Sequence, residues 1–198
     1  MSNKIDILLP TNGKRMDGLK AQISSILNQT YKDIHLWILM DGCNVEIEYM
    51  DFSVNDARLT FVSVPSEHGG RYGHGAIKWA LSDLPLKGEW VWMTGDDDCL
   101  LPWGFAGLIL ECEGYDMVTG VCLAVTRGHT WAGELTALGV TIHSGMITGS
   151  SCIYRRDRLL KIGYDDSCYE ADWVLIKKML DYPCKQTLHT IAVMPQYV

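Results

Sequence analysis

Trp90-Val91-Trp92-Met93-Thr94-Gly95-Asp96-Asp97-Asp98 is the stretch from which the rest of the chain can be read. The apolar run Trp90 to Met93 is short and rich in Val and Trp, which marks a buried strand rather than a helix. It stops in three consecutive aspartates. Three carboxylates at the end of a buried strand repel one another unless a cation or a set of donors sits among them. The carboxyl ends of strands are also where open α/β sheets place their ligands. Mg²⁺ and Mn²⁺ favour carboxylate oxygens together with substrate phosphates, so a divalent ion holding a phosphate is the simplest account of the cluster. The plainer alternative is a helix cap ahead of Pro102-Trp103, but a cap uses one aspartate and leaves two without a role. An EF-hand is excluded, because the loop lacks Asp or Asn at its fifth position and Gly at its sixth.

Outward from this strand, elements alternate. Ile5 to Leu9 reads as a buried first strand, closed by Pro10-Thr11-Asn12-Gly13. Met16, Leu19, Ile23, Ile26 and Leu27 then recur at helical spacing up to Asn28-Gln29-Thr30. A second apolar run, Ile34 to Met40, stops at Asp41-Gly42. Strand, helix and strand with short links form a right-handed βαβ unit, which brings Thr11, Asn12 and Asp41 to one edge. A third strand, Leu59 to Val64, leads into His68-Gly69-Gly70-Arg71-Tyr72-Gly73-His74-Gly75 and a short helix from Ala76 to Leu81. Glycines ahead of a helix let backbone amides approach an anion, and a plain flexible loop is the equal alternative. Beyond the aspartates the pattern predicts a helix over Gly104 to Glu113 and a strand over Tyr115 to Val125. Residues 126–148 read as loops and β-structure, and Ser150 to Tyr154 as a strand. Arg155-Arg156-Asp157-Arg158 reads as a solvated helix start. A helix follows Tyr169-Glu170-Ala171-Asp172-Trp173 and runs to Asp181, and a last strand covers 186–194.

Composition sets the class. The 198 residues suit one domain, and 47% hydrophobic with 21% charged content is globular. No apolar run is long enough to span a bilayer, and Met1-Ser2-Asn3-Lys4 leads straight into a strand, so neither an anchor nor a signal peptide is expected. The seven cysteines are odd in number and form no C-x-x-C pair, the pattern of reduced thiols in a cytoplasmic protein. A net charge of −7 argues against indiscriminate nucleic-acid binding.

In this order the motifs resemble those of family 2-type, GT-A-fold glycosyltransferases. Leu9-Pro10-Thr11-Asn12 is similar to the family's Pro-Thr-Tyr-Asn with one residue missing, and Ser25-Ile26-Leu27-Asn28-Gln29-Thr30-Tyr31 to its Ser-Val-Leu-Asn-Gln-Thr-Tyr. Met40-Asp41-Gly42-Cys43 resembles Asp-Asp-Gly-Ser, and Asp96-Asp97-Asp98 with Pro102 resembles the family's aspartate motif. Gly149-Ser150-Ser151 with Tyr154-Arg155-Arg156, then Ile162-Gly163, is similar to the segment before the acceptor-side acid, and Ala171-Asp172-Trp173 to Glu-Asp-Trp. The resemblance runs from residue 5 to about 180. The chain departs from the pattern at Gly95, Met40 and Ala171, each of which stands where the family carries an acid. It also has Ala76-Ile77-Lys78 where the family has Ala-Arg-Asn.

The resemblance implies a mixed, mainly parallel, Rossmann-like α/β sheet flanked by helices, in one domain over 1–198. Its nucleotide-binding half would be about 1–100 and its acceptor-binding half about 101–198. It implies an inverting enzyme that takes a nucleotide-diphosphate sugar donor, a hydroxyl acceptor and a divalent metal, Mn²⁺ or Mg²⁺. Pro10, Thr11, Asn12, Asp41, Arg71, His74, Lys78, Asp96 and Asp97 would bind the donor, with Lys78 or Arg71 replacing the family arginine. Asp98 would hold the metal with Asp96 or Asp97. Asp172 would be the base, with Glu170 in reserve, and the plain alternative for Asp172 is a helix N-cap. His189 as a further metal ligand is weighed against a structural histidine, and Trp131 and His129 as acceptor contacts against a core role. The acceptor site is open or completed by a second copy of the chain. Two rivals remain: a nucleotidyltransferase, of which Gly13-Lys14-Arg15 is a faint echo, and a GT-A-like binder without turnover.

Overall fold

Strand alternation sorts the core into two layers. β1 (Ile5–Thr11) is buried along its whole length, and successive strand side chains point to opposite faces. Ile5, Ile7 and Leu9 join a cluster with Leu19, Ile23 and Ile26 of α1 (Met16–Leu27) and Phe105 and Leu108 of α3 (Gly104–Ile109). Leu8 belongs to the opposite cluster. That cluster takes in Ala76, Ile77 and Ala80 of α2 (His74–Asp83), Leu159 of α4 (Arg156–Ile162) and Leu175, Ile176 and Met179 of α5 (Ala171–Met179). The computed structural model describes residues 3–43, 56–126, 129–132, 149–168 and 170–195.

Among these residues one sheet holds nine strands. β3 (Leu59–Val64), β2 (Ile34–Asp41), β1 and β4 (Trp90–Met93) lie side by side and parallel, with Thr11 opposite Met40 and Leu8 opposite Met93. β8 (Cys152–Arg155) pairs antiparallel with β4, and β6 (Met117–Thr126), β9 (Cys184–Pro195) and β5 (Cys99–Leu100) continue the sheet, with β7 (His129–Ala132) beside β6. The expected mixed, mainly parallel α/β architecture is what forms. Parallel pairing puts the carboxyl ends of β1, β2 and β4 on one edge.

The opposite, amino edge is closed by a buried carboxylate. Asp6 accepts hydrogen bonds from Trp37 Nε1 at 3.1 Å, Lys87 N at 2.7 Å and Gly88 N at 2.6 Å. Those bonds tie two neighbouring strands to the turn that enters β4.

Two local expectations are corrected, and one short strand is added. α3 stops at Ile109 rather than Glu113, because Leu110 faces solvent and Gly114, at φ +82°, turns the chain. β5, two residues long, is too short to carry a readable period. The arginine cluster is not solvated: Arg155 pairs with Glu89 and Asp116, Arg158 with Asp116 at 2.9 Å, and Arg156 donates to the Leu86 carbonyl at 2.8 Å. Its acids come from distant turns, so no local charge pattern announces the pairing. No helix among the described residues is long and apolar enough to cross a membrane.

Candidate donor and acid site

Two of the three aspartates face outward at the carboxyl edge. The Thr11 hydroxyl donates to Asp96 Oδ2 at 2.8 Å and in turn accepts from Gly13 N at 3.2 Å. Arg15, the residue before α1, hydrogen-bonds Asp97 Oδ2 and lies 3.5 Å from Asp96 Oδ1. Burial pushes the Asp96 carboxyl above the ordinary carboxylate value; the Thr11 bond and the Arg15 charge pull it back, and the Asp97 charge adds to the rise. Helix α1 lies directly against this turn: a Cβ on Gly18 would fall 2.4 Å from the Asp96 carbonyl oxygen.

The third aspartate faces inward. Asp98 is 6% exposed, and its Oδ2 accepts from Thr94 Oγ1 at 3.0 Å, from Gly95 N at 3.4 Å and from the Ser150 hydroxyl. Burial raises its carboxyl, opposed first by the Ser150 bond. Thr94 Oγ1 accepts from Gln22 Nε2 at 2.8 Å, and Ser25 donates to the Gln22 carbonyl oxygen at 2.8 Å. Gln29 then donates to Leu101 O at 2.6 Å and accepts from Phe105 N at 3.2 Å. The Ser25–Tyr31 motif thus acts as a clamp on the loop that carries the aspartates. Sequence reasoning missed Gln22 and Arg15. The available signal was a glutamine three residues after Leu19, on the apolar face of the helix.

The glycine loop lies across the same edge. Asp41, expected at the nucleobase, accepts from Gly70 N at 2.7 Å, and a Cβ on Gly69 would come within 2.2 Å of Asp41 Oδ1. Gly73, at φ +86°, packs so close to Pro10 that a Cβ would meet Pro10 Cγ at 2.7 Å. Asn12 Oδ1 accepts from Lys14 N at 3.1 Å and shapes the turn after β1. The next turns of chain point elsewhere. His74 Nδ1 is 2.8 Å from the Tyr164 hydroxyl, and Lys78 Nζ is 2.8 Å from Asp166 Oδ1, beside a cleft of about 280 Å³ lined also by Glu67, His68 and Trp79. The Arg71 side chain lies outside the described atoms.

Asp172 stands at the mouth of β4. Its Oδ2 accepts from Gly149 N at 3.1 Å and its Oδ1 from Trp173 N at 2.8 Å. A Cβ on Gly149 would sit 3.5 Å from Asp172 Cβ and 3.8 Å from Met93 O, so Asp172 and the end of the aspartate strand border one space. Glu170 is exposed at the start of α5, where its carbonyl accepts from Val174 N at 3.0 Å. His189 lies apart: it packs against Gly107 of α3, a Cβ there meeting its ring at 3.2 Å. Trp131 and His129 fall in β7 with side chains outside the described atoms, and most of 126–148 lies outside the described residues. Among the described residues no three His, Cys, Asp or Glu side chains converge as a metal-binding set.

No protein-family model matches the chain, and no curated protein matches it. Solved structures do. S. aureus TarS 1–349 superposes with a TM-score of 0.70 at 16% identity, covering 97% of this chain. The fold is GT-A-like. TarS 1–349 in complex with UDP-GlcNAc gives a TM-score of 0.71 at 15% identity over 98% of this chain, and in complex with UDP 0.71 at 14% over 97%. The chain spans about 60% of the length of these TarS structures.

Proposed function

We propose that the chain transfers a sugar from a nucleotide-diphosphate donor to an acceptor hydroxyl, with inversion at the anomeric carbon. The observation that carries this reading is the meeting of three groups at one sheet edge: the Thr11–Asp96 pair, Asp41 with its glycine loop, and Asp172 beside Met93. The TarS complexes with UDP and UDP-GlcNAc supply the donor class by analogy of fold.

A Mg²⁺-type site uses one or two carboxylates and completes its shell with phosphate oxygens and water. Asp96 and Asp97 offer outward oxygens in that number, and Asp98 braces their turn from below, so the residues fit such an ion. A divalent ion bound there supplies charge neutralisation of the departing diphosphate. Thr11 orients the Asp96 carboxylate, and the loop of Gly69 and Gly70, held by Asp41, forms the nucleoside wall with Pro10. Asp172, its two oxygens fixed by the Gly149 and Trp173 amides, is directed to take the acceptor's proton as the hydroxyl attacks the face opposite the leaving group.

A binder without turnover is the second reading, favoured by Asp98, whose carboxylate is spent on Thr94, Gly95 and Ser150 rather than on the opening. Calorimetric titration of UDP, GDP, CDP and dTDP, each with Mn²⁺ and with EDTA, tests the donor site on wild type and Asp96→Asn. One nucleotide binding with Mn²⁺ and lost in the variant is the expected result; no binding of any nucleotide defeats the reading. Slow metal-dependent hydrolysis of the matching nucleotide sugar then separates an enzyme from a binder.

A further inference from the structure

The aspartate turn already holds a cation of its own. Asp96 and Asp97 are adjacent, and one guanidinium, that of Arg15, reaches both. Two neighbouring carboxylates repel, and this contact relieves them. The contact with Asp97 is open to water, the side chain of Arg15 being 54% exposed and that of Asp97 42%, whereas that of Asp96 is 12% exposed. Exposed ion pairs of this kind are worth about 0.2–1 kcal/mol, so the contact holds the carboxylates without locking them. Among the described residues the Arg15 guanidinium makes no further hydrogen bond or ion pair, and the first turn of α1 receives no side-chain cap from it. Of the residues expected to meet phosphate from the glycine-loop side, Lys78 is engaged with Asp166 and His74 with Tyr164.

We propose that Arg15 is the resident counter-ion of the aspartate turn: a divalent cation displaces its guanidinium from Asp96 and Asp97, and the freed guanidinium pairs with the donor's diphosphate. The proposal rests on the donor-site reading above. A doubly charged ion has twice the attraction of a guanidinium for the same carboxylates at equal distance. Once released, Arg15 carries a planar fork suited to two phosphate oxygens, and its anchor beside Thr11 keeps it within reach of them. The exchange makes metal and diphosphate binding mutually supportive, because each occupies a partner that the other releases.

The test is Mn²⁺ titration followed by electron paramagnetic resonance on wild type, Arg15→Gln and Arg15→Lys, then UDP titration by calorimetry at saturating Mn²⁺. Removing the competing charge is expected to tighten Mn²⁺ by about two- to fivefold in Arg15→Gln. The same variant is expected to weaken UDP about tenfold. Arg15→Lys keeps Mn²⁺ affinity near wild type and recovers part of the UDP affinity, since an ammonium lacks the fork. A merely structural arginine would weaken both ligands or neither. Unchanged or weaker Mn²⁺ binding in Arg15→Gln, with UDP still bound, overturns the exchange and spares the donor site. Failure of every variant, wild type included, to bind UDP overturns the donor site and the exchange with it.

Discussion

The two edges of the parallel sheet hold aspartates under opposite terms. At the amino edge, Asp6 is 1% exposed and takes three hydrogen bonds, two from backbone amides and one from an indole. At the carboxyl edge, Asp96 and Asp97 share one half-exposed guanidinium, and Asp96 has a single hydroxyl donor besides. A carboxylate buried among several fixed donors ties strands together; one that is bordered by open space and keeps a lone pair free, or whose partners can leave, is available to a ligand. Asp98 shows that position alone does not decide. It follows Asp97 directly, yet its three donors make it a counterpart of Asp6.

The sharpest way to break this contrast is Asp172→Asn, which keeps the shape of the carboxyl edge but removes the proposed base. Transfer is expected to fall by about 10²–10⁴-fold, while the new amide nitrogen, facing the Gly149 or Trp173 N–H, costs only about 1–3 kcal/mol of stability. A variant with near-normal turnover would remove Asp172 from the reaction. Asp6→Ala probes the other edge. It strands the Lys87 and Gly88 amides and the Trp37 indole, and is expected to lose about 3 kcal/mol in urea unfolding. The UDP affinity of the molecules that remain folded should hold. Affinity falling in step with stability would mean that the edges are not separable.

Gly18→Ala tests how the open edge is built. Its new methyl must push the Asp96 peptide away or lift α1, at a cost of about 1–3 kcal/mol, partly offset by alanine's helix preference. Mn²⁺ affinity should drop with it, whereas an unaltered affinity would show that the turn tolerates the shift. The last comparison concerns the pH dependence of Asp98. Its folded carboxyl is raised by burial above the unfolded value near 3.9, so the native state holds the proton more tightly. The stability this gives is complete below about pH 3.9 and is lost as pH rises through the raised value. Asp98→Asn should therefore gain on wild type as pH rises from 4 to 8 in metal-free buffer, read by urea unfolding. A gap that narrows instead would mean the hydrogen bonds outweigh the burial.

How much of this was readable in advance follows from where the partners lie. β1, α1, β2, β3 and β4 carry their period within themselves, and their ends fell within two residues of expectation. The edge carrying Thr11, Asp41 and the aspartates followed from parallel pairing alone. What stayed hidden depends on contacts across long separations. Arg15 meets Asp97 from 82 residues away, and Ser150 meets Asp98 from 52. Lys78 and His74 sat at the right place in the chain for phosphate, yet Asp166 and Tyr164 arrive from the far half to engage them. Local charge patterns say which side chains want a partner, and only the fold says which one comes.

Trp92 gives the aspartate turn a consequence for measurement. Its indole is fully buried, donates to the Ser150 carbonyl at 2.9 Å and meets the Phe105 ring edge-on at 5.1 Å. Ser150 is also the residue whose hydroxyl reaches Asp98. The chromophore is therefore linked through Ser150 to Asp98 beneath the turn, and the change in emission on Mn²⁺ addition that is lost in Trp92→Phe is expected to register occupancy of the turn without any attached label.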